Sequence, residues 1–179
     1  MPNAKKYILT GVILGSIAAV AGGLIAATNL ITAKKIHQNE IDSINKGINE
    51  IFESGVVTTE ETINGHEYAN YCYLVDYTKG ELKMHGYAFR CEGSNMYGKI
   101  SLLAGFDVTS KSFISMYLVK NEQTYASTLV ENYVNPVNDG TANYETDVSC
   151  GATYGAKLVR DMINDAKEAA NELWSKQNG

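Results

Sequence analysis

The chain has 179 residues, and Cys72, Cys91 and Cys150 are its only cysteines. They include no Cys-x-x-Cys pair, so the chain alone cannot hold an iron–sulfur cluster, which normally takes four thiolates. All 20 acidic residues and all but two of the 15 basic residues follow Ile31, so this part carries a net negative charge. The charge argues against nucleic-acid binding, because phosphate contact needs a basic face.

The N-terminal segment predicts a single transmembrane helix at residues 7–31, which contain no charged side chain. About 20 apolar residues suffice to cross the roughly 30 Å hydrocarbon core of a bilayer. The alternative is a cleaved secretory signal, although the apolar region of such signals is usually shorter. Lysine pairs flank both ends, and the short N-terminus favours a cytoplasmic position for residues 1–6.

The next segment predicts a juxtamembrane amphipathic helix at residues 32–55. Its isoleucines recur mostly at steps of three to four residues, and Gly55 ends the pattern. The polar stretch Thr58–Ala69 is predicted to be irregular. Strands are then predicted at residues 71–77, 81–90, 99–106 and 113–119, and the short connections between them indicate an antiparallel meander.

Two helices complete the predicted domain, residues 56–179. A short one covers residues 126–133 and stops before Pro136, and a closing helix covers residues 155–173. The fold class is therefore α+β, with an antiparallel sheet and flanking helices. Cys72 and Cys91, on neighbouring predicted strands, are either a disulfide pair or two buried free thiols.

The most informative motif is Asp147-Val148-Ser149-Cys150-Gly151-Ala152-Thr153, just before the closing helix. A helix N-terminus offers unpaired N–H groups and a positive dipole end, which stabilise a phosphate without a lysine. Gly151 and Ala152 add little bulk, and Thr153 supplies an oxygen nucleophile. The structural alternative is that Ser149 or Thr153 only caps the helix.

The motif resembles the covalent flavin-attachment site of the FMN-binding proteins of bacterial Rnf and Nqr redox complexes. The resemblance is closest to the RnfG proteins and extends to the NqrC proteins. In that family an Asp precedes the acceptor Thr by six residues, in a segment that ends Ser/Thr-Gly-Ala-Thr. Residues 28–36 and the order of the strands are also similar. The resemblance implies FMN joined to Thr153 as a phosphoester by a flavin transferase. It implies further FMN contacts from Asp147, Ser149, Cys150, Gly151, Ala152, Gln123 and Thr124.

The resemblance also implies a function. It is that of an electron-transfer subunit in an ion-translocating ferredoxin:NAD oxidoreductase complex, anchored among other membrane subunits and not catalytic alone. The FMN domain would lie on the extracytoplasmic side. The alternatives are a free-standing exported flavoprotein, or a flavin-free surface protein that keeps the fold.

Two single residues and one four-residue segment depart from the family pattern. Cys150 replaces a Ser or Thr, either as a near-isostere or as a redox-tuning thiol, and Gly155 replaces a hydroxyl residue. Residues 122–125, Glu-Gln-Thr-Tyr, stand where Glu-Thr-Pro-Gly is usual. His66 and His85 are either proton relays or ordinary surface and strand residues.

Overall fold

A computed structural model describes residues 3–177, without the side chains at residues 3–6, 30–31, 33–34, 37 and 177. The chain divides into two compact units, residues 1–42 and residues 43–179. Its elements, in chain order, are α1 (Asn3–Ile51), β1 (Val56–Thr62), β2 (Ala69–Lys79), β3 (Leu82–Asn95), β4 (Gly98–Asp107), β5 (Phe113–Asn121), α2 (Ala126–Leu129), a π-helical turn (Val130–Val134), α3 (Asn135–Asn138) and α4 (Thr153–Gln177).

The first unit consists of the N-terminal part of α1. Residues 7–29 of this helix are long and apolar enough to cross a membrane, and their side chains are exposed. Exposed apolar residues over such a length fit a single-pass membrane anchor. Of the predicted cytoplasmic segment, Met1 and Pro2 lie outside the described residues, as do the side chains of residues 3–6.

The second unit contains a five-stranded antiparallel sheet in the order β1-β2-β3-β4-β5. The four predicted strands are present, and the predicted α+β class is confirmed. The prediction of an irregular Thr58–Ala69 segment is confirmed at residues 63–68 and wrong before them, because Val56–Thr62 pairs with β2 as an edge strand. Every side chain of β1 is exposed. Backbone pairing therefore specifies β1, and its sequence has no alternation of buried and exposed residues to reveal it.

The sheet is covered on both faces within this unit. Ile48 and Phe52, at the C-terminal end of α1 and just beyond it, pack with Val75, Ala88 and Leu103 on one face. On the other face α4 and the segment α2–α3 pack against the opposite side chains of the strands. Because β4 lies between both layers, its residues 100–107 are all buried. The Ile-Ser-Leu-Leu-Ala-Gly-Phe run reflects this double burial.

The helices depart from prediction at several boundaries, and α4 also ends later than predicted, at Gln177. The expected stop before Pro136 is wrong, since Pro136 lies in the first turn of α3, directly after the π-helical turn. Proline is tolerated there because the first N–H groups of a helix have no intrahelical partner. The closing helix α4 begins at Thr153, two residues earlier than predicted.

Cys72 and Cys91 are buried free thiols. Burial raises the pKa of Cys72 to about 12 and also raises that of Cys91, so both are neutral and act as core residues.

Candidate functional site

The predicted attachment segment forms a fixed loop that leads into α4. Gly151 has a φ of +83°, a left-handed conformation that favours glycine. A Cβ at Gly151 would lie 3.3 Å from the Cγ2 atom of Thr128, so the loop runs close against α2. The side chain of Asn132 donates a hydrogen bond of 3.1 Å to the carbonyl oxygen of Cys150. The loop is therefore held against the helical segment α2–α3.

Thr153 is the first residue of α4 and is half-buried. The first bond of this helical turn runs from the N–H of Ala156 to the carbonyl of Ala152. The N–H groups of residues 153–155 precede that bond, so they are available to an anion at the positive end of a 25-residue helix. Within the described residues 3–177, the Thr153 hydroxyl has no hydrogen-bond partner.

A cavity of about 250 Å³ opens beside this helix start. Of the predicted site residues, it brings together Gly151, Ala152, Thr153 and Gln123. Its other lining residues are Tyr97, Tyr125, Leu129, Tyr154 and Gly155. No lysine or arginine lines it, so an anion here would be met by backbone N–H groups.

Gln123 is buried, with 7% of its surface exposed. Its Nε2 donates a 2.5 Å hydrogen bond to the carbonyl oxygen of Gly98 in the β3–β4 turn. Its Oε1 lies beside Gly155, and no donor in the described part of the chain bonds to it. Gly98 has a φ of +137°, and any side chain there would collide with the carbonyl of Glu122. The hydrogen bond from Gln123 to Gly98 joins the β3–β4 turn to the loop after β5.

Thr124 is the second predicted contact from the loop after β5, and its contact with a cofactor stays a prediction. It is exposed and does not line the cavity. Its backbone N–H and its hydroxyl donate to the carbonyl oxygen of Tyr97, at 2.9 and 3.2 Å. Thr124 thus holds the turn that carries Tyr97.

Asp147, Ser149 and Cys150 lie outside the cavity lining. Asp147 is exposed, and its Oδ2 accepts a 2.7 Å hydrogen bond from the backbone N–H of Asn143, which closes a local turn. Ser149 is exposed and Cys150 is half-buried. Their contacts with a cofactor stay predictions. The alternative role of Ser149 or Thr153 as a side-chain cap gains no support, because no capping hydrogen bond occurs at either within residues 3–177.

Sequence inspection missed Tyr97, Leu129 and Asn95 as members of this region. In an antiparallel meander, β3 and β5 run in the same direction, so both strands finish at the same end of the sheet. The turn Asn95–Gly98 and the loop after Asn121 therefore had to meet, and strand order alone was the signal for Tyr97. Leu129 had no such signal, because its position depends on how α2 packs against α4.

Each of the two histidines considered as relays lies beside a carboxylate. His66 lies 3.1 Å from the carboxylate of Asp165, and His85 lies 2.7 Å from that of Asp76. Neither lines the cavity beside Thr153. Among the described residues, no three His, Cys, Asp or Glu side chains are grouped as metal ligands would be.

Comparison with known proteins gives one family match. Residues 1–51 match the family model described as the RnfG N-terminal region. The predicted resemblance to the RnfG proteins is thereby confirmed over this part of the chain, and the similarity to the NqrC proteins stays a prediction. No curated protein sequence matches the chain.

Proposed function

We propose that this RnfG-like chain is a membrane-anchored electron-transfer subunit that carries FMN as a phosphoester on Thr153. The observation that carries the proposal is the unpartnered Thr153 hydroxyl at the start of α4, on the rim of a cavity. The match of residues 1–51 supports the assignment to an Rnf-type complex independently of this site.

The attachment step requires only an accessible oxygen from this chain. The Thr153 oxygen forms a bond to the FMN phosphorus of FAD, while the pyrophosphate bond breaks, AMP leaves and the hydroxyl proton is lost. A threonine hydroxyl is a weak nucleophile without a neighbouring base. Among the described residues, none of those that line the cavity is a His, Asp, Glu or Lys. The resemblance assigns the activation to a separate flavin transferase.

After attachment, the residues around Thr153 have binding roles. The N–H groups of residues 153–155 offer donors to the phosphate oxygens. The Oε1 of Gln123 offers an acceptor to the hydroxyl donors of the cofactor's polar chain, and its buried amide is already oriented by Gly98. When bound, FMN supplies the electron-carrying chemistry that the side chains of this chain lack.

The anchor and the resemblance to the RnfG proteins support a proposal for the partners and the location. We propose that the FMN domain lies outside the cytoplasm and exchanges electrons with other membrane subunits of an ion-translocating complex. A covalent bond suits that location, because a flavin lost there could not readily be replaced from the cytoplasm.

The test is co-expression of the full chain with a flavin transferase, followed by denaturing electrophoresis and detection of flavin fluorescence in the gel. The parent protein and Thr146→Ala, a change at an exposed position, should fluoresce, whereas Thr153→Ala should not. A fluorescent Thr153→Ala band would refute Thr153 as the acceptor. A dark parent, beside a known substrate that the same transferase modifies, would favour the flavin-free alternative.

A further inference from the structure

We infer that Tyr97, Tyr125 and Tyr154 form an aromatic platform that holds the flavin ring at the protein surface, with part of the ring open to solvent. The inference rests on the proposed attachment of FMN to Thr153. It adds the position of the ring and the residues that hold it.

The three rings lie side by side although they come from three separate elements. The centroid of Tyr97, in the β3–β4 turn, is 5.4 Å from that of Tyr154 in α4 and 6.1 Å from that of Tyr125. The rings are tilted by 35° and 54° to one another. These separations are typical of interacting aromatic pairs.

Hydrogen bonds hold the backbone segments that carry the platform. Asn95 accepts a 2.9 Å bond from the N–H of Tyr97 and donates a 3.1 Å bond to the carbonyl of Tyr154. Thr124 makes two bonds to the carbonyl of Tyr97 and precedes Tyr125 in the chain. The backbones of Tyr97 and Tyr154 are thus tied through Asn95, and Tyr125 follows a residue bonded to Tyr97, before any ligand arrives. This order reduces the entropy cost of binding.

The platform remains open to solvent. Tyr125 is 54% exposed and Tyr154 is 59% exposed. All three tyrosines line the cavity that contains Thr153. Exposed aromatic rings that converge on one cavity offer a stacking surface to a flat aromatic ligand.

The size of the cavity decides where such a ligand would lie. Its volume of about 250 Å³ is below the roughly 300–1,000 Å³ of sites that bury a drug-sized ligand. FMN is too large to be enclosed there. With the phosphate at Thr153, the cavity takes the polar chain of the cofactor, and the ring extends over the neighbouring tyrosines.

A ring in this position has a functional consequence. Its free side is accessible to a redox partner without any opening of the domain. Contacts with the tyrosines limit the rotation of the ring relative to the protein. The ring therefore does not move freely in solvent on its covalent link to Thr153.

The experiment measures the rotation of the flavin in the full flavinylated chain in detergent, by time-resolved fluorescence anisotropy. Intact mass first establishes that each sample carries one FMN. The variants are Tyr97→Leu/Tyr125→Leu, the ring-retaining Tyr97→Phe/Tyr125→Phe, and Met96→Ala as a control beside Tyr97, with Met96 83% exposed. Tyr154 is left unchanged because it adjoins the acceptor residue.

In the parent, in Met96→Ala and in the phenylalanine pair, the ring should rotate with the whole protein. The leucine pair should add a fast local component, since each lost aromatic contact lowers the docked-to-free ratio by about two- to tenfold. A fast component in the parent, or an unchanged decay in the leucine pair, would overturn the platform while leaving the attachment intact. An unmodified parent would overturn both proposals.

Discussion

The side-chain oxygen Oε1 of Gln123 lies 3.3 Å from the point where a side chain on Gly155 would place its Cβ. Both residues depart from the pattern of the resembling family, and the fold brings them together beside Thr153. A Cβ at Gly155 would also lie 3.1 Å from the Cδ2 atom of Leu129. The glycine therefore leaves room for the buried glutamine at the cavity wall.

This contact predicts coupling between the two positions. Alanine at Gly155 gains helix propensity, roughly up to 1 kcal/mol, but it crowds Gln123 and Leu129. We expect Gly155→Ala to be more stabilising in a Gln123→Ala background than in the parent, by about 0.5 kcal/mol or more. Thermal unfolding followed by the fluorescence of Trp174, the single tryptophan, measures this double-mutant cycle. Strictly additive effects would show that the two residues do not interact.

The left-handed conformation of Gly151 predicts a cost for any side chain there. Gly151→Ala should destabilise the protein by about 1–2 kcal/mol and should reduce flavin attachment, because the loop must shift away from Thr128. Gly140→Ala is the matched control, since Gly140 also has a positive φ, of +71°, and has open space around it. Equal flavin loads in the two variants would contradict a role for the loop conformation.

Thr153→Ala should leave stability nearly unchanged. Thr153 is the first residue of α4 and makes no capping bond within the described residues 3–177, so it contributes less than a typical cap of about 1 kcal/mol. The free energy of unfolding should change by less than about 0.5 kcal/mol. A larger loss, measured on unmodified protein, would mean that the hydroxyl has a structural role.

Asp165 predicts a dependence of stability on pH. Burial disfavours its charged form, but hydrogen bonds from the N–H groups of Ala69 and Tyr68 and from His66 outweigh this and hold its pKa below the usual range. A carboxylate with a lowered pKa stabilises the fold fully above its unfolded pKa, about 3.9, and loses this contribution as the pH falls through the folded value.

Asp165→Asn should therefore cost about 1–3 kcal/mol at neutral pH, and the difference from the parent should shrink below about pH 4. Thermal unfolding at several pH values measures both effects. Asp139→Asn is the control, because Asp139 is exposed and its carboxylate makes no hydrogen bond within the described residues 3–177. A parent–variant difference that stays constant into acid would contradict the lowered pKa.

Sequence patterns predicted the elements that carry periodic or continuous apolar residues. These elements are the exposed apolar span, the strands β2 to β5 and the closing helix, and all are present. Strand β1 was missed because none of its side chains is buried. The sequence did not reveal that the helical segment continues beyond Pro136. A π-helical turn precedes this proline, and residue propensity does not predict such a turn.

For the site, the sequence motif identified the segment at the start of α4. Three motif residues and Gln123 line the cavity there. The tyrosine platform depends on contacts between the β3–β4 turn, the loop after β5 and α4. Residues 97, 125 and 154 are far apart in the chain, so only the packing of these segments brings their rings together.

The central claim is that Thr153 is the acceptor of FMN, and peptide-level mass spectrometry tests it most directly. The full chain would be co-expressed with a flavin transferase, exported, digested and compared with Thr153→Ala. The account predicts a gain of one FMN less one water on the peptide that contains Thr153, and no gain in the variant. The same gain on a different residue, or on the Thr153→Ala protein, would contradict it.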